Sequence, residues 1–159
     1  MKTLYILRHA EAAQGSPDNQ RPLTQAGRAA AEAMGDTMRE KRYLPAAIFC
    51  SPATRTRQTL AGLNLTQPKP VFVEDIYQAA PQDLLRVVHD ADTDSLLLVG
   101  HNPAVHGLTL ALAGRGQPGQ LHALRVGFAP GTLAVLQFDR DWIDLVPGMA
   151  LLADLVIPD

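Results

Sequence analysis

The 159-residue chain lacks the features that mark several classes of protein. Its one cysteine, Cys50, cannot form an internal disulfide. No apolar run approaches the roughly 20 residues that a transmembrane helix needs, and no secretory signal precedes Leu4, so we expect a cytoplasmic protein without a membrane partner. A formal net charge of -2 offers no general basic surface for nucleic acid. Any anion must therefore be bound by a local cluster of basic side chains.

Familiar phosphate-binding and metal-binding patterns are also missing. The sequence contains no GxxxxGK[ST], which excludes a P-loop. GxGxxG occurs once, as GRGQPG at residues 114–119, but it follows a stretch of helical character instead of the strand that a Rossmann dinucleotide loop requires. The segment CSPATR is similar to the Cys-x5-Arg loop of cysteine phosphatases, but Cys50 and Arg55 are one residue too close and no glycine separates them. Cys50 ends an apolar run and is expected in the core. The histidines and carboxylates form no recognisable metal-ligand pattern, so no metal or other cofactor is expected.

The composition that remains is that of an ordinary globular protein, with 47% apolar and 19% charged residues. The length suits one domain spanning residues 1–159. Short apolar runs alternate with stretches of helical character, which predicts βαβ units and a mainly parallel sheet of the α/β class, its strands buried on both faces. The apolar runs are residues 3–7, 46–50, 70–74 and 95–100, and the helical stretches are residues 24–42, 52–63, 81–91 and 103–113.

Beyond these elements the pattern is less regular. A further strand is predicted over residues 131–139, and the remainder is interpreted as a late edge strand or hairpin. The Gly- and Pro-bearing segment 114–120 is predicted to be a surface connection rather than a domain boundary.

Three of the predicted strands end in polar residues of an unusual kind. The first strand runs directly into Arg8 and His9, where Gly, Asn, Asp or Ser would be ordinary. The second is followed by Ser-Pro and the fourth by His-Asn-Pro, both of which are signatures of a helix N-cap with proline at the first helical position.

These strand ends predict an anion site. In an open parallel sheet, ligands bind outside the carboxyl ends of the strands, so we expect Arg8, His9, Arg55 and His101 along one rim. Arg55 lies in the first turn of its helix and can reach back to the rim, whereas Arg57 points elsewhere at helical spacing. Two guanidinium groups and two imidazoles beside helix N-termini are costly without a negative partner. A phosphoryl group fits best, because a guanidinium can bind two of its oxygens at once.

Four pieces of the sequence resemble the histidine phosphatase superfamily, and in particular its short SixA-like phosphohistidine phosphatases. They are LRHAEA at residues 7–12, RPLTQAG at 21–27, SPATRTRQT at 51–59 and GHNP at 100–103. The pieces occur in the order of the family and cover the framework from residue 4 to about residue 113. The resemblance implies a phosphoglycerate mutase-like fold, a three-layer α/β/α sandwich with a mostly parallel central sheet.

The resemblance also implies a metal-independent phosphatase in which His9 is the nucleophile and forms a phosphohistidine intermediate. Arg8, Arg55 and His101 would complete the phosphate pocket, and Arg21 would reach the phosphate from just ahead of the first helix. For this role one nitrogen of His9 must be unprotonated, and the other must be held by a hydrogen bond, for which a backbone carbonyl is the expected acceptor. The neighbouring arginines would disfavour an added proton on His9 in the free enzyme.

One departure from the family pattern bears on the substrate. Many members supply a carboxylic acid after the third strand, but the aligned position here is Gln78, and Glu74 and Asp75 leave the general acid unassigned. Loss of the acid should impair ester hydrolysis more than hydrolysis of the labile P–N bond of phosphohistidine. The third and fourth strands are joined through one short helix, which leaves the site open.

The leading hypothesis is therefore removal of phosphate from phosphohistidine on a signalling protein such as a histidine phosphotransfer domain. The alternative within enzymes is a phosphatase of a small phosphorylated metabolite, which would be favoured if Glu74 or Asp75 faced the phosphate. The alternative from another class is a phosphate-binding or phosphohistidine-binding module without turnover.

Overall fold

The computed structural model describes all residues, 1–159, and contains seven strands and five α-helices. The strands are β1 (Lys2–Arg8), β2 (Ala47–Cys50), β3 (Val71–Phe72), β4 (Ser95–Gly100), β5 (Ala113–Gly116), β6 (Leu133–Phe138) and β7 (Ala150–Val156). The helices are α1 (Gln25–Lys41), α2 (Thr54–Leu63), α3 (Pro81–His89), α4 (Ala104–Leu112) and α5 (Pro118–Val126). None of the helices has the length and apolarity needed to cross a membrane.

The strands form one sheet in the order β3-β2-β4-β1-β6-β7-β5. All neighbours pair in parallel except those of β6, which runs antiparallel to β1 and β7. The register places Arg8 opposite Gly100 and Cys50 opposite Val99, so the carboxyl ends of β1, β4 and β2 are level with one another. The predicted mostly parallel α/β sheet is confirmed.

Helices cover both faces of this sheet because successive side chains of its central strands point to opposite sides. In β4, Leu96 and Leu98 pack with residues of α3, α4 and α5, whereas Leu97 and Val99 pack with residues of α1 and α2. All four of these side chains are completely buried. The fold is thus the expected three-layer α/β/α sandwich.

The segment after β1 is fixed against the start of α1. Thr24 caps this helix by accepting a hydrogen bond from the Gly27 N–H at 3.0 Å, and its own hydroxyl donates to the Glu11 carboxylate at 2.7 Å. The backbones approach so closely that a Cβ on Gly27 would lie 2.1 Å from the Glu11 carbonyl oxygen. The chain just beyond His9 is therefore held by contacts that only glycine permits at position 27.

The third strand is shorter and more exposed than predicted. We expected a strand over residues 70–74 buried on both faces, but β3 has only two residues, and both side chains are exposed. The reason is its position at the edge of the sheet, beyond which the chain enters a 3-10 turn at Glu74–Ile76. Arg57 packs over the Phe72 ring at 3.9 Å, pointing away from the phosphate-binding rim as predicted.

The two predicted N-caps are wrong. Ala53 and Pro103 are the N-cap residues of α2 and α4, and neither of these two residues caps its helix with its own side chain. The Ser51 hydroxyl instead contacts His101 Nε2 at 2.7 Å, and the Asn102 amide donates to the Phe128 carbonyl at 3.0 Å. Each side chain also accepts a hydrogen bond from the chain that follows it, Ser51 Oγ from the Ala53 N–H at 3.4 Å and Asn102 Oδ1 from the His106 N–H of α4 at 3.3 Å.

Residues 114–120 are not the surface connection that we predicted. They form part of β5, which pairs with β7, and the first turn of α5, a helix that the sequence analysis missed. The strand predicted over residues 131–139 is β6. The remainder of the chain forms β7, which pairs antiparallel with β6 as in a hairpin, but the edge strand of the sheet is β5, which lies beyond β7. This edge of the sheet is remote from β1, β4 and β2.

Gly27→Ala should lower the free energy of unfolding by about 1–3 kcal/mol, because the added methyl group must displace the Glu11 backbone. Gly119→Ala is the control. A Cβ at Gly119 meets nothing within 4 Å, and alanine there should be neutral or stabilise α5 by up to about 1 kcal/mol. Urea denaturation of both variants measures the difference. Equal stability of the two would contradict the close approach described above.

Candidate active site

The predicted residues meet at the carboxyl ends of β1, β4 and β2. The ladder continues past the strands, with the His9 N–H bonded to the Gly100 carbonyl and the Ser51 N–H to the Val99 carbonyl, both at 3.1 Å. The His9 and His101 rings come to 5.4 Å between centroids. Arg55 projects from the first turn of α2 and is 7% exposed. The structure thus brings Arg8, His9, Arg55 and His101 to one rim.

His9 is held in the orientation that a nucleophile requires. Its side chain is 8% exposed, and Nδ1 lies 2.7 Å from the Ala10 carbonyl oxygen. Because a carbonyl can only accept, the proton of the neutral ring is on Nδ1, which leaves the lone pair on Nε2. The Ala10 N–H donates to Thr59 Oγ1 at 2.9 Å, which fixes the same peptide segment.

His101 has the same tautomer as His9, but its ring is anchored through the other nitrogen. Its Nε2 contacts Ser51 Oγ at 2.7 Å, and that oxygen already accepts from the Ala53 N–H at 3.4 Å. No other acceptor lies within hydrogen-bond distance of the Ser51 hydroxyl, so it donates to Nε2, and the proton of the neutral imidazole is on Nδ1. Nδ1 is buried and has no hydrogen-bond partner. His101 is therefore a neutral donor with one N–H available for a ligand.

Both imidazoles are neutral because burial and positive charge oppose protonation. Burial is the largest cause, and it lowers the pKa of His9 from 6.5 to about 4 and that of His101 from 6.5 to about 3. The positive charges of Arg55 and Arg8 act on both rings in the same direction, and Arg21 adds to the effect on His9. The hydrogen bond to the Ala10 carbonyl opposes the shift on His9 only in part.

Arg55, which is buried, and Arg8, which is partly buried, are each fixed by a backbone carbonyl but remain incompletely paired. Arg8 Nη1 donates to the Phe128 carbonyl at 2.9 Å, and Arg55 Nη1 donates to the Asp18 carbonyl at 2.8 Å. In both side chains the Nε atom is buried without a partner. Together with His101 Nδ1, the rim holds three buried and unpaired N–H groups. Such groups are rare in folded proteins, and their clustering beside His9 defines a site for an anion.

Asp18 and Tyr77 complete the rim, and the sequence analysis missed both. The Asp18 carboxylate accepts from Arg21 Nη1 at 3.0 Å, from Arg55 Nη2 at 3.2 Å and from the Tyr77 hydroxyl. The Tyr77 bond, followed by the Arg21 bond, holds the pKa of Asp18 well below its usual range. Tyr77 packs edge-on against the His101 ring, with centroids 5.6 Å apart. Arg21 thus joins the cluster through Asp18.

Sequence signals for these two residues are weak. Asp18 lies in a 3-10 turn three residues before Arg21, and Tyr77 immediately precedes Gln78, the position aligned with the general acid of the family. Neither spacing is distinctive, because turns of this kind are positioned by tertiary packing.

The candidate acids Glu74 and Asp75 do not bond to the residues of the rim. With Tyr77 and Gln78 they line a groove of about 590 Å³, which adjoins the rim at Tyr77, where the Tyr77 ring packs on His101. Further carboxylates, Asp83 and Asp90, line the same groove. The structure therefore assigns no carboxylic acid to the leaving-group side of the site.

Comparison with known proteins agrees with this geometry. The family model of the histidine phosphatase superfamily (branch 1) matches residues 4–78. The structure of a protein from Nakamurella multipartitia, provisionally named phosphohistidine phosphatase SixA, is 32% identical with a TM-score of 0.89, covering 99% of this chain and 96% of that one. A protein from Agrobacterium tumefaciens with the same provisional name is 32% identical with a TM-score of 0.84, covering 99% and 98% of the two chains. An uncharacterized protein of Mycobacterium tuberculosis is 33% identical over 158 residues, which is 96% of this chain and 99% of the relative.

The chain belongs to the histidine phosphatase superfamily, and its fold and relatives place it in the SixA-like branch. It is a phosphatase of this superfamily.

Titration of the imidazoles by ¹H–¹⁵N NMR tests the electrostatics of the site. His9 and His101 should remain neutral down to about pH 5, because their pKa values lie near 4 and 3. As the pH falls from about 6.5 to about 4, His9 is protonated in the unfolded chain but not in the folded protein, so the free energy of unfolding should fall over this range. Below about pH 4 the folded protein binds the same proton, and the contribution of His9 to the fall should end. Protonation of the His9 and His101 rings near pH 6.5, the ordinary value for histidine, would contradict the described environment.

Proposed function

We propose that the protein removes the phosphoryl group from phosphohistidine on a partner protein, such as a histidine phosphotransfer domain, by covalent catalysis on His9. Residues 1–159 act in this proposal as one catalytic domain in the cytoplasm, and the lone thiol of Cys50 fits such a reducing compartment. The observation that carries the proposal is a neutral His9 ring, anchored through Nδ1, beside three buried and unpaired N–H donors.

In the first step His9 Nε2 attacks phosphorus, and the bond from phosphorus to the leaving nitrogen breaks. Negative charge on the phosphoryl oxygens is met by N–H groups of Arg8, Arg55 and His101, which are already fixed in the protein. The His9 ring becomes positive as it gains the phosphoryl group. Its Nδ1–H bond to the Ala10 carbonyl and the bound dianion both stabilise this charge.

In the second step water attacks phosphorus, and Nε2 leaves with its bonding electron pair as the lone pair of the neutral ring. One proton of the water is released to solvent, the other remains on phosphate, and His9 returns to its starting tautomer. The guanidinium groups supply the positive charge in both steps, so the mechanism calls on no metal ion.

The absence of an available acid supports a phosphoramidate substrate over an ester. An alkoxide leaving group needs a proton, but Asp18 is ionised and Glu74 and Asp75 line a separate groove. The P–N bond of phosphohistidine needs less assistance. Only α3 lies between β3 and β4, so no added subdomain covers the rim against a protein substrate. The provisional SixA name of relatives that are 32% identical agrees with this substrate.

The alternatives receive less support. The neighbouring groove has room for a small molecule, but its lining carries one arginine, Arg86, against the four carboxylates of Glu74, Asp75, Asp83 and Asp90, an excess of negative charge that disfavours a phosphorylated metabolite. A module that only binds phosphate needs cationic groups, whereas the anchored neutral His9 adds a nucleophile that such a module does not use.

A turnover assay with His9→Ala tests the proposal. In EDTA the wild type should dephosphorylate a histidine-phosphorylated phosphotransfer protein faster than it hydrolyses p-nitrophenyl phosphate. His9→Ala should lose about 10³-fold or more of the phosphohistidine activity. His122→Ala is the matched control, because this exposed histidine of α5 lies outside the site, and it should behave as wild type.

Two outcomes would replace the proposal. Comparable or faster turnover of the ester would indicate a small-molecule phosphatase. No His9-dependent turnover of either substrate would indicate a binding module.

A further inference from the structure

We propose that the Asp18 carboxylate recognises the leaving group, by accepting a hydrogen bond from the second ring nitrogen of the substrate phosphohistidine and holding that ring in its imidazolium form while the P–N bond breaks. This inference rests on the proposed function and adds a role that compensates for the missing general acid.

The step balances without a proton donor of the enzyme. In the bound substrate one ring nitrogen carries the phosphoryl group and the other carries a proton, so the ring is positive. When His9 Nε2 attacks, the P–N electron pair returns to the leaving nitrogen, and the product is a neutral imidazole that keeps its N–H. A neutral phosphohistidine ring would have to leave as imidazolate, which is a far poorer leaving group. A fixed negative charge at the ring N–H favours the positive form.

Asp18 is the carboxylate that the structure places in contact with the phosphate-binding residues. No other carboxylate makes an ion pair or hydrogen bond with Arg8, His9, Arg55 or His101. Asp18 meets Arg55 directly, and Tyr77, which donates to it, packs on the His101 ring. Its charge is also felt at His101.

The carboxylate also has an acceptor position to offer. Each of its oxygens can accept two hydrogen bonds. Oδ2 accepts from Arg55 and Tyr77, whereas Oδ1 accepts from Arg21 alone. The Asp18 side chain is 54% exposed, so the remaining position on Oδ1 is accessible from solvent.

The groups that face Asp18 keep its carboxylate charged. They are Arg21 from the segment before α1, Arg55 from α2 and Tyr77 from the segment before α3, and each donates to it. Positive and negative side chains therefore lie side by side at the exposed opening of the site, which we call its mouth. Beyond Tyr77, the groove lined by Glu74 and Asp75 adds negative potential on the outer side. At the mouth the ring N–H of a protonated phosphohistidine meets the Asp18 carboxylate, while its phosphoryl group meets the arginines.

Asp18→Asn separates leaving-group recognition from a purely structural role in holding Arg21 and Arg55. The first substrate is the histidine-phosphorylated phosphotransfer protein of the turnover assay. The second is p-nitrophenyl phosphate, whose leaving group has no ring N–H. Rates are measured from pH 5 to 9, and the rate with His9→Ala is subtracted as background. Asp36→Asn is the matched control, because Asp36 forms an exposed pair with Arg39 on α1 away from the rim.

At pH 8 the Asp18→Asn variant should lose about 10- to 100-fold in kcat on phosphohistidine, which is the range for loss of one proton-handling group. Its kcat on p-nitrophenyl phosphate should fall by a smaller factor, which measures the support that Asp18 gives to Arg55, and this smaller factor should not change with pH. The phosphohistidine rate of the variant should recover as the pH falls, because solvent then protonates the ring. His9 and His101 stay neutral over this range, so the recovery is not a titration of the enzyme imidazoles.

An equal loss on both substrates at every pH would overturn the inference and leave Asp18 as a support for the arginines. Unchanged rates on both would overturn it as well. A thermal melt checks the fold of the variant. If Asp18→Asn does not fold, the pH dependence of the wild-type rate on phosphohistidine decides. With the proposed role of Asp18, this rate should persist above the pKa of the phosphohistidine ring in the free phosphoprotein. A rate that falls at that pKa would overturn the inference.

Failure of the proposed function has a different signature. In that case the wild type itself shows no His9-dependent dephosphorylation of the phosphotransfer protein, so Asp18 has no phosphohistidine activity to support.

Discussion

The candidate active site depends on three N–H groups that are buried without a hydrogen-bond partner. They belong to Arg8 at the end of β1, Arg55 in the first turn of α2 and His101 just after β4. An unpaired buried donor costs about 1–3 kcal/mol, and more when it is charged, so an incoming anion recovers free energy that folding has left unsatisfied. The parallel register of β1, β4 and β2 brings these groups together, because it makes the three strands end at one level.

The positive charges of Arg8 and Arg55 explain how one histidine, His9, can serve both steps of the proposed reaction. In the free protein, burial and the arginines keep His9 neutral, with its lone pair on Nε2. A bound phosphoryl dianion reverses the local charge and favours the positive ring that carries the phosphoryl group. Ser51 and Thr59 support this chemistry from behind, since Ser51 sets the tautomer of His101 and Thr59 holds the peptide of Ala10.

The sequence was sufficient for residues whose position follows from regular structure. Strand ends of a parallel sheet share an edge, so the placement of Arg8, His9 and His101 follows once the strands are recognised, and helical spacing distinguishes Arg55 from Arg57. Asp18 and Tyr77 were missed because they follow irregular chain whose position is set only by packing. Glycine and proline concealed β5 and the start of α5, because pairing with β7 overrides the local preference for a loop. The N-caps were misplaced by one or two residues because α2 and α4 begin later than the Ser-Pro and Asn-Pro pairs suggest, and Ser51 and Asn102 also bond to groups distant in sequence.

Direct observation of the intermediate tests the central claim that His9 carries the phosphoryl group. Wild-type protein is mixed rapidly with a histidine-phosphorylated phosphotransfer protein, quenched in alkali to preserve phosphohistidine, and examined by intact-mass and peptide mass spectrometry. The account predicts one added phosphoryl group per chain during turnover, located on the peptide that contains His9. Steady turnover with no phosphorylated enzyme at any mixing time, or a phosphoryl group on another residue, would contradict it.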